Sequence, residues 1–291
     1  MSTTAGIDVG STYTKAVIVG DDGRILGRAM SPTGFRLDDV AAQMFDRALT
    51  EAGLCRADID YVASTGYGRN QVSFRHLKVT DLTAHAYGAR RLFPNTRTVL
   101  DVGGQTMKAS RLDADGWVQS FRLNDKCAAG TGAFLEKTVR YMGYQTEDIG
   151  PLAIAAANTV PISGVCAVFA ESEVINHLSQ GVPASEIMYS AIISLVERSV
   201  QLLRRVRLEP EFTLVGGILR FEAMAEGMRR ALGQPVNVPP DDLAQFNGAL
   251  GAALLAQLRL SRLGSAPLAP EAARPDPGGS AMPAGEGTAA R

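Results

Sequence analysis

The chain of 291 residues is too long for one small module and fits two ordinary domains or one large one, with 46% apolar residues to build a core. Twenty-nine Lys and Arg against thirty Asp and Glu leave a formal charge of −1, so the charge balance favours neither nucleic acid nor an anionic membrane surface as a partner. An opening Met-Ser-Thr-Thr without an apolar leader, no apolar run near the ~18 residues of a membrane span, and only three cysteines predict a cytoplasmic protein without a disulfide scaffold.

In chain order, Gly6 to Val9 reads as a strand, Gly10-Ser11-Thr12 as a turn and Ala16 to Val19 as a second strand, which Asp22-Gly23 returns into a third over Arg24 to Ala29. Apolar residues at Val40, Met44, Phe45, Ala48 and Leu49 predict an amphipathic helix from Leu37 to Ala52, closed by Gly53. A strand from Tyr61 to Ala63 and a helix near Ala84 to Leu92 follow. Then the order restarts: strand Thr98 to Val102, turn Gly103-Gly104-Gln105, strand Met107 to Leu112, hairpin Ala114-Asp115-Gly116, strand Trp117 to Leu123. Ile7-Asp8-Val9-Gly10 and Leu100-Asp101-Val102-Gly103 stand at equivalent places, and an internal duplication is the economical reading. Helices are expected at Gly132 to Tyr141, Ala167 to Leu178, Ala184 to Arg207 and Asn247 to Leu260, with a short buried strand at Phe212 to Val215. The predicted organisation is a first half over residues 1–95 joined by the helix at 245–262, a second half over 96–244, and a tail at 265–291. The tail's Ala, Pro and Gly offer no core, so disorder is expected.

Each Gly-containing turn lies between two strands, where backbone N–H groups and hydroxyls can surround an anion, and two such turns facing each other would grip a polyphosphate. The residues concerned are Gly10, Ser11 and Thr12 in one turn and Gly103 and Gly104 in the other. No G-x-x-x-x-G-K-[ST] and no G-x-G-x-x-G opening a helix occurs, so neither a P-loop nor a dinucleotide fingerprint is present. Asp8 and Asp101, one per turn, suit a hydrated Mg2+ that bridges phosphates. Lys15 fits both a phosphate contact and a solvated strand position. Gly216-Gly217 would let a flat ring lie against backbone, or serve as a tight strand-to-helix turn. Cys127 and Cys166 each precede a predicted helix start, which favours a thiolate or cluster, although on this setting alone two buried small hydrophobes are the commoner case. A cluster or a tetrahedral Zn needs four ligands, no histidine is spaced to complete the set, and a two-fold dimer would supply the other two. Cys55 lacks this setting.

These residues resemble a known family, the ATP-binding activators of 2-hydroxyacyl-CoA dehydratases together with the ATP-binding subunits of benzoyl-CoA reductase. The matching segments run from about residue 5 to 260: 6–12, Thr65-Gly66-Tyr67-Gly68-Arg69-Asn70, 101–105, Asn124-Asp125-Lys126-Cys127-Ala128-Ala129-Gly130-Thr131-Gly132, 166–175, Gly216-Gly217 and 244–251. The resemblance implies an α/β actin-like ATPase fold of two ribonuclease-H-like halves with Mg-ATP in the cleft between them. Asp8, Asp101 and Gln105 are then the expected catalytic residues, and Gly130, Thr131 and Gly132 join the nucleotide-binding ones. It also implies one 4Fe-4S cluster shared through Cys127 and Cys166 of each protomer of a homodimer, or of a heterodimer with a related ATPase. The implied activity is ATP-dependent one-electron transfer from ferredoxin or flavodoxin to a CoA-ester reductase or dehydratase. Thr106 stands where family members often carry an aspartate; together with the helix start from Gly132 to Thr138 it points toward the benzoyl-CoA reductase branch. A small-molecule kinase and an actin-like scaffold are the rival readings, and neither accounts for the paired cysteines.

Overall fold

The computed structural model describes residues 2–124, 131–163 and 167–264. Cys127, Gly130 and Cys166, and the segment 265–291 expected to be disordered, lie outside these described residues.

The first sheet is built from β1 (Thr4–Val9), β2 (Tyr13–Val19), β3 (Ile25–Pro32), β4 (Tyr61–Thr65) and β5 (Leu77–Lys78), in the order β3-β2-β1-β4-β5. The second uses β6 (Thr98–Val102), β7 (Met107–Leu112), β8 (Val118–Asn124), β9 (Phe212–Val215) and β10 (Val236–Asn237), in the order β10-β9-β6-β7-β8. Renumbered within each half these are one topology: an antiparallel meander of three strands, with the first strand also paired in parallel to a later one. The duplication inferred from two Asp-Val-Gly turns therefore extends through whole sheets.

Every residue of β1, β4, β6 and β9 is buried, which is why these strands read as continuous apolar runs instead of alternating ones. The helix α1 (Leu37–Ala52) buries Ala41, Met44, Phe45, Ala48 and Leu49 on the first sheet. It ends where Gly53 enters the left-handed region at φ 66° and its N–H caps the carbonyls of Leu49 and Thr50. In the second half, α3 (Gly132–Tyr141), α4 (Ile149–Ile154), α6 (Ala184–Arg205) and α7 (Glu222–Leu232) enclose a core that includes Leu100, Phe134, Leu135, Met188, Leu195, Phe212 and Met224. Between α4 and α6 lies α5 (Ala167–Ser179), with Val168, Phe169 and Ile175 exposed.

Two helices join the halves. α2 (Asp81–Leu92) follows the first sheet, and α8 (Leu243–Leu263), coming from the second half, packs Phe246, Ala249, Leu250, Ala253 and Leu254 against β2 of the first sheet. They cross closely: a Cβ added at Gly251 would collide with the carbonyl of Ala84, and one at Gly88 with that of Asn247. No helix among the described residues is long and apolar enough to cross a membrane.

Candidate functional site

Asp8 and Asp101 stand near the ends of the two central strands, and strand register places a lysine directly opposite each: Asp8 pairs with Lys15 and Asp101 with Lys108. In both halves the lysine Nζ lies 3.3 Å from the aspartate Oδ2. The parallel neighbour of each central strand then ends in a glycine above the carboxylate, Gly66 after β4 and Gly216 after β9, at φ 87° and 101°. A Cβ on Gly66 would strike Asp8 Oδ1, and one on Gly216 would sit 2.9 Å from Asp101 Oδ1. Only glycine satisfies both the backbone angle and the close approach.

The turns are also equivalent. Gly10 N–H donates to the carbonyl of Tyr13, and Gly103 N–H to that of Thr106. Thr33 braces the first turn, its hydroxyl donating to the Gly10 carbonyl at 2.8 Å and its N–H to the Thr12 carbonyl at 2.9 Å. The second turn is held by the start of α3, where the N–H groups of Gly132 and Ala133 donate to the carbonyls of Gly103 and Gly104. These two amides are therefore occupied by the turn, and α3 acts here as its support. The turns meet across the halves: a Cβ at Gly104 would collide with the Thr12 hydroxyl.

Between them lies a cleft of about 630 Å³, within the size range of small-molecule sites. Asp8, Gly10, Ser11, Thr12, Lys15, Asp101, Gly103, Gly104, Gln105, Gly132, Gly216 and Gly217, chosen from sequence, all line it. Thr131 is instead fully buried at the start of α3. Cys127, Gly130 and Cys166 lie outside the described residues, so their proposed roles rest on the sequence.

Sequence reasoning missed several lining residues: Lys108, Asp81, His85, Arg69 and Gln245. The signal for Lys108 was there, since it follows Asp101 by the same spacing that separates Lys15 from Asp8. Asp81 and His85 lie one helical turn apart on α2 and reach the second half's turn only through tertiary packing. The two halves differ here. Lys15 has a single carboxylate partner among the described ion pairs, whereas Lys108 also contacts Asp81 at 2.7 Å. Burial works against the charged Lys108, but the attraction of Asp101 and then Asp81, with hydrogen bonds to both, raises its pKa above the ordinary lysine value. For Asp81 burial again opposes the charge and is the largest single influence, but the charge of Lys108 and its hydrogen bond, with smaller help from His85 and the Leu82 N–H, together outweigh it, so its carboxyl is held below the usual range.

Asp8 and Asp101 are 6% and 5% exposed, and two buried carboxylates opening onto a cleft are a donor set that suits Mg2+, which keeps most of its ligands as water and phosphate oxygens. No group of three or more His, Cys, Asp or Glu side chains able to hold a metal on their own occurs among the described residues.

Comparison with known proteins agrees with this geometry. The chain is 39% identical over 253 residues to the activator of lactoyl-CoA dehydratase of Anaerotignum propionicum, covering 87% of this chain and 96% of that protein. It is 36% identical over 281 residues to one of the benzoyl-CoA reductase subunits of Thauera aromatica, covering 91% and 97%. Among solved structures, the activator of the 2-hydroxyisocaproyl-CoA dehydratase from Clostridium difficile with bound ADPNP superposes with a TM-score of 0.84 at 35% identity, covering 90% of this chain and 96% of that one. The fold is that of the actin-like ATPases, two repeated halves around a nucleotide cleft. Residues 5–256 match the BadF/BadG/BcrA/BcrD ATPase family, to which this chain belongs.

Proposed function

We propose that the chain is an ATP-hydrolysing activator that passes single low-potential electrons from a reduced ferredoxin or flavodoxin to a 2-hydroxyacyl-CoA dehydratase. The observation that carries the nucleotide part is the pair of equivalent turns, each with its buried aspartate and opposed lysine, facing one cleft. Bound Mg2+ would offset charge on the phosphates, with Asp8 and Asp101 holding its water shell. Lys15, with one carboxylate partner against two for Lys108, keeps more of its charge for a phosphate. Gly216 and Gly217 form a side-chain-free wall of the cleft against which a base can lie.

The electron-transfer part draws on the relatives' names and on Cys127 and Cys166, which would hold a 4Fe-4S cluster with the same pair from a second chain. Such a cluster supplies a one-electron carrier. The expected reductase branch rested partly on Thr106, yet position 106 serves the turn through its carbonyl, as Tyr13 does in the first half. Any residue can supply that carbonyl, and the Thr106 side chain itself stands at the cleft. The relative at 39% identity is named as a dehydratase activator, and the benzoyl-CoA reductase relative, at 36%, supports the second reading.

Purification without oxygen is expected to give brown protein with about four irons per dimer, lost in Cys127→Ser or Cys166→Ser and kept in Cys55→Ser, whose thiol is exposed. Colourless, iron-free protein from iron-replete cells would overturn the electron-transfer reading. With reduced ferredoxin, ATP and a dehydratase, ATP consumption is expected to fall far below product formed, because one activating electron supports many turnovers. ATP use in constant proportion to electrons delivered to benzoyl-CoA would move the chain to the reductase branch.

A further inference from the structure

His85 lines the nucleotide cleft from α2, and its side chain is only 11% exposed. Its ring is near both aspartates. Nε2 is 3.6 Å from Asp101 Oδ2, and a single point beside Gly248, where a Cβ would stand, is 3.2 Å from Nε2 and 3.1 Å from Asp8 Oδ2. Gly248 thus leaves room for the imidazole in front of Asp8.

The other edge of the ring is fixed by Asn247, a fully buried residue of α8. The Asn247 side-chain nitrogen donates to the His85 backbone carbonyl at 2.9 Å and lies 3.2 Å from His85 Nδ1. The backbone carbonyl can only accept, so it sets which way the amide points, and the NH2 then also faces Nδ1. Nδ1 must accept, and the ring proton resides on Nε2. The orientation has a cost: Asn247 Oδ1 is buried without a hydrogen-bond partner among the described residues, an arrangement that destabilises a fold. A side chain kept in that state at a helix crossing suggests a use.

We propose that His85 is a positioning residue for ATP hydrolysis. Its Nε2–H points at the Asp101 carboxylate from α2, while Lys108 holds the same carboxylate from β7. At 3.6 Å the contact is longer than a hydrogen bond, a length typical of catalytic contacts that tighten once the substrate is bound. Asp101 is thereby held in one orientation from two sides, leaving Oδ1, beneath Gly216, set relative to the cleft. Asp8 has only Lys15 as an ion-pair partner among the described residues. The inference rests on the assignment of Asp101 to the metal side of the site. It adds that the tautomer of His85, imposed by Asn247, is part of the machinery.

The chain has three histidines, so ring nitrogens can be assigned by 15N NMR with single-histidine deletions. In nucleotide-free wild-type protein His85 is expected as the Nε2–H tautomer, and in Asn247→Leu as a mixture. In steady-state ATPase assays His85→Leu and His85→Asn should lose at least tenfold in kcat, with KM for ATP changed less than twofold. His85→Gln, whose amide nitrogen reaches the place of Nε2, should stay within about threefold of wild type. Asn would put its amide at the place of Nδ1, out of reach of Asp101. An Nδ1–H tautomer in the wild type, a kcat within twofold in His85→Leu, or His85→Gln as impaired as His85→Asn at equal melting temperature would each overturn the proposal. If Asp101→Ala keeps full ATPase activity, the underlying site assignment fails instead, and the tautomer measurement still reports on Asn247 and His85. Should His85→Leu not fold, the Gln and Asn pair decides.

Discussion

Replacing Lys108 by Met tests the asymmetry between the two halves. Lys108 is 15% exposed at its side chain, and its two carboxylate partners, Asp101 and Asp81, are 8% and 25% exposed. With contacts of 3.3 and 2.7 Å to the same nitrogen, the two carboxylates lie no more than about 6 Å apart. At an effective dielectric near 20 their repulsion, once uncompensated, is about 3 kcal/mol. Breaking a fully buried pair from one side typically costs about 3–5 kcal/mol, and the open cleft, where water can reach both groups, lowers the expected loss to ~2–3 kcal/mol. For a chain of this size that corresponds to a fall in melting temperature of roughly 5–10 °C. The sign with pH follows from the two shifts. Lys108 has a raised pKa, so its contribution is complete below the ordinary lysine value of 10.5 and is lost only as pH rises past it. Asp81 has a lowered pKa, so its contribution is complete above the ordinary value of 3.8 and is lost as pH falls below it. Between pH 6 and 9 the deficit of Lys108→Met should therefore be constant, and it should shrink toward pH 4 as the freed carboxylates take up protons. Differential scanning calorimetry across that range, with Asp81→Asn/Lys108→Met as the second arm, measures both. A loss under 1 °C, or a double variant no more stable than Lys108→Met, would refute the account of Lys108 as a cation held between two carboxylates.

Asp8→Ala and Asp101→Ala should each abolish ATP turnover while circular dichroism at 25 °C stays unchanged; normal turnover in either would remove that residue from the site. Gly216→Ala forces a Cβ into the Val102 carbonyl at a φ of 101°, and both effects predict a loss of at least ~2 kcal/mol in denaturant unfolding, against a smaller loss for Gly143→Ala, where the positive φ strains the backbone but the Cβ meets open space. His76 accepts a hydrogen bond from Val62 N–H through Nδ1 and stacks on Tyr61. Burial lowers its pKa, so its contribution is complete above the ordinary value of 6.5 and is lost as pH falls from there toward the lowered one. The melting temperature should thus drop between pH 7.5 and 5, and His76→Asn, which keeps an acceptor without titrating, should flatten that drop.

The repeated Asp-Val-Gly turns were legible because everything that makes them is local: a buried strand, an acidic residue at its end, and a glycine that permits the turn. From them followed the duplication, the two facing turns and the part of the cleft lining that the turns supply. Long or well-bounded elements were equally plain. α1 runs from Leu37 to Ala52, and β6, β7, β9 and α3 have the bounds expected. β5 and β10 were not foreseen, because two-residue strands carry no periodicity and exist only by pairing in parallel with β4 and β9. α7 was missed too. Its interior Gly227 weakens the helical signal, and the glycine is explained only by packing, since a Cβ there would press on Val196 of α6.

The chain order of residues by itself determined where two glycine-containing turns and their aspartates would be. Tertiary structure alone decided what surrounds those aspartates. Asp81 and His85 come to the second half on α2, and Asn247 and Gln245 on α8, because the two helices pack across the halves through Ala84, Gly88 and Gly251. No periodicity or spacing encodes such a meeting. It depends on side chains small enough to let two backbones touch, and on which helix face is left pointing into the cleft once they do.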